Sequence, residues 1–230
     1  MDSSAALANA VRAKLEEGNM RAAIQIISSE DTVAPVNDET LSELRSKHPA
    51  GLSMHTDLVM DSSLPDLVVN QDKVCKVIAS FPPGSAGGPD GLRPQHVKEL
   101  VHCREAGTDF IDSLTDFVNV VLSGQCPPDI APFFFGGRLL ALRKKSGGIR
   151  PIAIGMTLRR IVSKCASFAG IGHLSPYFCP TQLGVGVQSG CEAAVHAARR
   201  FLQDLPPDHV MAKLDFSNAF NKSDRSHVVL

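Results

Sequence analysis

The chain has 230 residues, 43% hydrophobic and 20% charged, with a net charge of −1. That is globular composition, enough for one sizeable buried core or two small ones, and total charge predicts no polyanion partner. No apolar run nears the roughly 18 residues of a membrane span, and the N-terminus turns charged without an apolar leader core. An intracellular chain is therefore expected, its six cysteines reduced and none of them in a Cys-x-x-Cys pair.

Apolar residues at helical spacing predict a first helix over 4–17, through Leu7, Val11 and Leu15, and a second over 20–28, through Ala23, Ile24 and Ile27. A third is predicted over 40–47. Residues 49–68 are rich in Pro, Ser and Asp and read as a loop. Val74, Val77 and Ile78 mark another amphipathic helix over 72–81. The stretch Pro82 to Gly91 is punctuated by proline and glycine and feeds a helix over 93–100, with Pro94 suited to its first turn. A longer helix is expected over 108–123, closed by Gly124. Strands over 138–142 and 149–154 flank Lys144-Lys145-Ser146-Gly147-Gly148, a hairpin signal. Helices over 156–168 and 192–202 follow, and then a strand over 209–215. The predicted class is α+β.

Charge is distributed unevenly along this plan. Between Asp129 and Glu192 there is no acidic residue, while Arg138, Arg143, Lys144, Lys145, Arg150, Arg159, Arg160 and Lys164 fall inside the window. A local cationic surface of this kind suits phosphate, because each neutralised phosphate releases counterions. A solvated basic face without a ligand has the same composition. The hairpin narrows the choice somewhat: a lysine point charge and a forked arginine, held beside the rigid Pro151, could clasp a triphosphate.

The second chemical feature is Val210-Met211-Ala212-Lys213-Leu214-Asp215. Alternation places Val210, Ala212 and Leu214 on one face, the expected core face, and delivers Asp215 to a strand-to-helix turn. A carboxylate there could hold a divalent ion while the following backbone receives phosphate. It could equally be the N-cap of the next helix.

Four motifs, in order, carry a resemblance. Ser85-Ala86-Gly87-Gly88-Pro89-Asp90-Gly91-Leu92, the hairpin Leu142 to Ile152, Gln182-Leu183-Gly184-Val185-Gly186 with Gly190, Glu192 and Ala193, and Leu214 to Phe220 resemble successive blocks of reverse transcriptases of non-LTR (LINE-type) retrotransposons. The resemblance implies an incomplete right-hand polymerase fold: a helical leader over 1–81, a fingers-like region over 82–180, and the start of the palm, with its first strand and helix, over 181–230. It implies that Lys144 and Arg150 contact the triphosphate of an incoming deoxynucleotide. Asp215 would bind catalytic Mg²⁺ or Mn²⁺ with the Phe216 carbonyl assisting. Asn218 and Ala219 would offer backbone N–H groups to phosphate, and Phe220 would exclude a ribose 2′-OH. Gln182 and Gly184 would lie near the template. The implied partners are an RNA template, a DNA primer and a deoxynucleoside triphosphate. The family commonly has Asp where this chain has Asn221. Its template grip, its Asp-Asp hairpin and its thumb belong further on than the fifteen residues that follow Asp215. The expected activity is thus RNA-directed DNA polymerase ancestry with an active site incomplete in this chain. A non-catalytic nucleic-acid-binding module and an unrelated phosphate-binding protein with Asp215 as a cap are the alternatives.

Other candidates read as structural. His102, Cys103, His173, Cys179, Cys191 and His196 match no zinc spacing, and Ser85 and Ser189 lack an elbow motif and a neighbouring base. Phe133, Phe134 and Phe135 are expected to form a packing wedge, and Arg199 and Arg200 the exposed side of a helix.

Overall fold

The computed structural model describes residues 3–28, 32–48, 66–144 and 147–222. The predicted loop over 49–68 lies outside them except for its last three residues, as do Lys145 and Ser146. The elements in chain order are α1 (Ser3–Glu16), α2 (Met20–Ser28), α3 (Asp38–Lys47), α4 (Gln71–Ala79), α5 (Pro94–Val101), α6 (Gly107–Leu122), α7 (Ala131–Phe134), β1 (Gly137–Arg143), β2 (Ile149–Gly155), α8 (Thr157–Phe178), α9 (Gly190–Gln203) and α10 (Ala219–Lys222). Among the described residues the architecture is α+β: helices with one two-stranded antiparallel sheet. Among the described residues no helix is long and apolar enough to cross a membrane.

The core lies among α4, α5, α6 and α8. Val74, Val77 and Ile78 of α4 meet Val97 of α5, Ile111, Leu114 and Val118 of α6, and Ile161, Val162 and Cys165 of α8. The i, i+3, i+4 spacing puts each set on one helical face, and removing such side chains from water contributes about 1.5–3 kcal/mol apiece. Phe134 of the single turn α7 is buried in the same cluster, edge-to-face with Phe117 at 5.8 Å, so the middle of the three phenylalanines is the wedge. Asn119 ties the chain entering α4 to α6. Its side chain accepts the Val69 N–H at 2.9 Å and donates to the Val69 carbonyl at 3.0 Å.

Three helices begin on an asparagine that accepts an N–H of the first turn: Asn19 accepts Ala22, Asn37 accepts Thr40 and Asn70 accepts Lys73. The loop over 82–92 is laid tightly against the base of β2. A Cβ on Gly88 would come within 2.7 Å of Met156 Cα, and one on Gly87 within 2.7 Å of the Leu92 carbonyl.

One predicted helix is longer than expected and one predicted strand is absent. The helix expected to end at Phe168 runs on to Phe178, despite two glycines and Pro176. The loop that follows packs onto the extension: a Cβ on Gly186 would meet Ser175 at 2.7 Å and Ile171 at 2.8 Å. Packing thus overrides the weak helix propensity of Gly170 and Gly172. The strand expected over 209–215 does not form. Val210 and Leu214, assigned above to a core face, are 88% and 81% exposed. A strand needs a neighbour to complete its ladder, and among the described residues none pairs with this segment.

Residues 32–34 join the sheet edge. Val33 bridges Leu142, the Arg143 N–H donates to the Thr32 carbonyl at 2.8 Å, and the Ala34 N–H to the Ala141 carbonyl at 2.8 Å. A small second cluster of Ala34, Ala141 and Ile149, with Leu44 against it, fixes α3 to the hairpin.

Candidate functional site

The hairpin pairs Gly137 with Gly155 through to Arg143 with Ile149, placing Arg150 opposite Leu142. Its turn closes with the Lys144 N–H on the Gly148 carbonyl at 3.0 Å. Gly147 and Gly148 take φ of 86° and 74°, the left-handed region where a side chain is strained. This turn and the segment after Asp215 face one another. Lys144, Arg150, Pro151 and Ile152 from the hairpin line a single cavity of about 540 Å³ with Asp215, Phe216, Asn218, Ala219 and Asn221. Lys47, at the C-terminal end of α3, lines it as well.

The charged lining is three cations, Lys47, Lys144 and Arg150, to one carboxylate, Asp215. Among the described residues the Asp215 side chain has no hydrogen-bond or ion-pair partner, and it does not cap a helix. The residue before α10 is Asn218, in the left-handed conformation (φ 56°) that asparagine tolerates better than most residues. Its Nδ2 donates to the Lys47 carbonyl at 2.7 Å, and its Oδ1 accepts Asn221 Nδ2 at 3.0 Å. The Asn221 and Lys222 N–H groups close on the Asn218 carbonyl. Of the helix expected here, the described residues include one turn, α10.

The remaining predicted residues fall as follows. Phe216 is 75% exposed at the cavity. Phe220 lies in α10, and its side chain falls outside the described residues. Gln182 and Gly184 do not line the cavity. Gln182 Oε1 accepts the Gly184 N–H at 2.6 Å, so the pair stabilises its own loop. That loop is close-fitting where α9 begins, since a Cβ on Gly190 would sit 1.7 Å from the Leu183 carbonyl.

The basic window divides in two. Arg159 donates to the Phe135 and Gly136 carbonyls. Arg160 donates to the Ala86 carbonyl at 2.7 Å and lies over the Phe81 ring at 5.1 Å. Lys164 lies over the same ring at 4.4 Å and near the Ser80 carbonyl at 3.5 Å. Lys98, outside the window, donates to the Ala79 and Phe81 carbonyls. These cations satisfy loop carbonyls and the C-terminal end of α4, where positive charge is favoured. Arg138, Arg143, Lys144 and Arg150 stay exposed on the hairpin. Among the described residues no three His, Cys, Asp or Glu side chains gather to hold a metal. Arg199 is exposed, and Arg200 pairs with Asp204 at 3.0 Å on the surface of α9.

Sequence analysis missed the part played by residues 32–48. Glu43 Oε1 accepts the Ile149 N–H at 2.8 Å and lies 3.4 Å from Lys47 Nζ. A short bridge and one lysine at a helix end carry no periodic signal that would have exposed this in advance.

Compared with known proteins, the chain matches no family model, no curated protein and no solved structure.

Proposed function

We propose that the chain is the fingers and leading edge of the palm of a reverse transcriptase of the non-LTR type, and that its cavity receives the triphosphate of an incoming deoxynucleotide. The observation that carries this reading is the convergence of Lys144, Arg150 and Asp215 on one cavity, although the hairpin and the carboxylate lie far apart in sequence. The cation excess suits a polyanion, and the volume lies in the ordinary range for small-ligand sites, about 300–1,000 Å³. That Asp215 caps no helix weighs against the unrelated phosphate-binding alternative, which needs it as a cap.

Asp215 and the Phe216 carbonyl are hard oxygen donors of the kind Mg²⁺ prefers, and the carboxylate has no partner among the described residues. When bound, the ion would neutralise phosphate charge. One carboxylate is a weak donor set, so Asp215 would hold the ion only together with the nucleotide's own phosphates. Lys144 and Arg150 hold the phosphates, and the turn over 216–219 limits how far the nucleotide enters. Among the described residues Asp215 is the one carboxylate lining the cavity, and two-metal chemistry calls for a further one, so polymerisation is not expected from this site as described.

Titration of the chain with a deoxynucleoside triphosphate and Mg²⁺ tests the reading. Binding should weaken at least tenfold in Lys144→Ala/Arg150→Ala, and its salt dependence should become shallower. Unchanged binding in that variant would overturn the proposal. Primer extension by the isolated chain should give no product above background, and robust Mg²⁺-dependent incorporation would contradict the assignment of an incomplete site.

A further inference from the structure

We propose that Lys47, carried by α3 upstream of the basic hairpin, is a third phosphate-binding cation of this cavity. The inference rests on the triphosphate reading above and adds a residue from a segment that bears none of the motifs.

Three observations carry it. Lys47 lines the cavity with Lys144, Arg150 and Asp215. Its Nζ is located by Glu43, whose Oε1 lies 3.4 Å from that nitrogen and 2.8 Å from the Ile149 amide. The ammonium is therefore held near the start of β2, one residue from Arg150 in the chain. Finally, three carbonyls of the last turn of α3 already have partners. Free C-terminal carbonyls would repel phosphate, but here the Asn218 amide donates to the Lys47 carbonyl at 2.7 Å and the His48 N–H to the Arg45 carbonyl. His48 Nδ1 lies 2.8 Å from the Leu44 carbonyl.

The competing role for Lys47 is its i, i+4 pair with Glu43, a helix-surface contact worth only a few tenths of a kcal/mol. Glu43 Oε1 already accepts the Ile149 N–H, so the carboxylate keeps a partner when Lys47 turns to a ligand. A lysine on a flexible stem can make that exchange, and a multiply charged phosphate chain is the stronger partner.

The test uses the full chain and two probes, inorganic tripolyphosphate and a deoxynucleoside triphosphate with Mg²⁺. Lys47→Ala should weaken binding of both by roughly tenfold or more. Lys47→Arg should retain most of the affinity. Glu43→Gln keeps an acceptor for Ile149 but abolishes the ion pair, and it should bind at least as tightly as the parent. If Lys47 acts only by pairing with Glu43, Glu43→Gln will mimic Lys47→Ala, and the inference fails. It also fails if Lys47→Ala binds like the parent while Lys144→Ala/Arg150→Ala loses binding, an outcome that leaves the triphosphate reading intact. If the parent binds neither probe, both fall together.

Discussion

At the scale of single residues, the turn after Asp215 is set by an amide relay. Asn218 must aim its nitrogen at the Lys47 carbonyl, which leaves its oxygen toward Asn221, so Asn221 must present its own nitrogen. Aspartate has no such donor. In Asn221→Asp the two oxygens would face each other, unless Asn218 flipped and abandoned Lys47. The substitution should cost about 1–3 kcal/mol locally, seen as faster amide exchange over 218–222 and a severalfold loss of triphosphate affinity. Unaltered exchange would mean that the relay does not hold the turn. The thiols offer a separate check. Cys103 is exposed, and the Glu105 and Ala106 N–H groups hold its pKa below the ordinary thiol value. Burial pushes Cys165 up. Iodoacetamide should therefore modify Cys103 well before Cys165 in the folded chain, with the difference lost in denaturant. Because the fold favours the neutral Cys165 thiol, its contribution to stability is complete below the unfolded thiol's pKa and declines as pH rises through the folded one.

At the scale of elements, whatever depends on neighbours in sequence was legible and whatever depends on distant partners was not. The hairpin announced itself because Gly147 and Gly148 supply the positive φ its turn requires. The buried face of α4 followed from apolar spacing alone. Lys144, Arg150 and Asp215 could be picked out as candidates, but nothing in their spacing said that they would share a cavity. The contribution of residues 32–48 was hidden, since Thr32, Ala34, Glu43 and Lys47 each make one contact with a segment far down the chain. The reach of α8 to Phe178 was hidden for the same reason, being held by the Gly186 loop. The attachment at Ala34 is also a prediction. Ala34→Pro removes the N–H donated to the Ala141 carbonyl and forces a ring into a buried position. It should cost about 1–3 kcal/mol of stability in thermal or denaturant unfolding and weaken triphosphate binding, because α3 and Lys47 lose their anchor. Full stability in that variant would show that the 32–34 bridge adds nothing to the sheet.

At the scale of the whole molecule, the buried cluster and the proposed chemistry rest on different elements: α4, α5, α6 and α8 carry the first, the hairpin tip and the turn after Asp215 the second. Residues 69–165 supply the buried cluster, with Val74, Val118 and Ile161 almost wholly shielded from water. Residues 207–217 contrast with them. There the His209 N–H, donated to the Pro206 carbonyl, is the one backbone amide bonded among the described residues. Val210, Leu214 and Phe216 present apolar surface to solvent, and Phe201 and Leu202 at the end of α9 are half-exposed beside that stretch in sequence. Amide protection follows closed hydrogen bonds in well-packed units, so the two regions should separate cleanly in native-state hydrogen exchange. Amides of α6 and the first half of α8 should exchange only through global unfolding, while those of 210–217 should exchange at rates close to an unpaired peptide. Binding a triphosphate with Mg²⁺ should slow exchange at 216–219 and at Ile149 without altering α6, because the ligand draws the carboxylate turn and the hairpin together. If ligand instead protects only the core helices, or if 210–217 is already protected without it, then Asp215 is held by something other than the contacts described, and the cavity is not where the triphosphate binds.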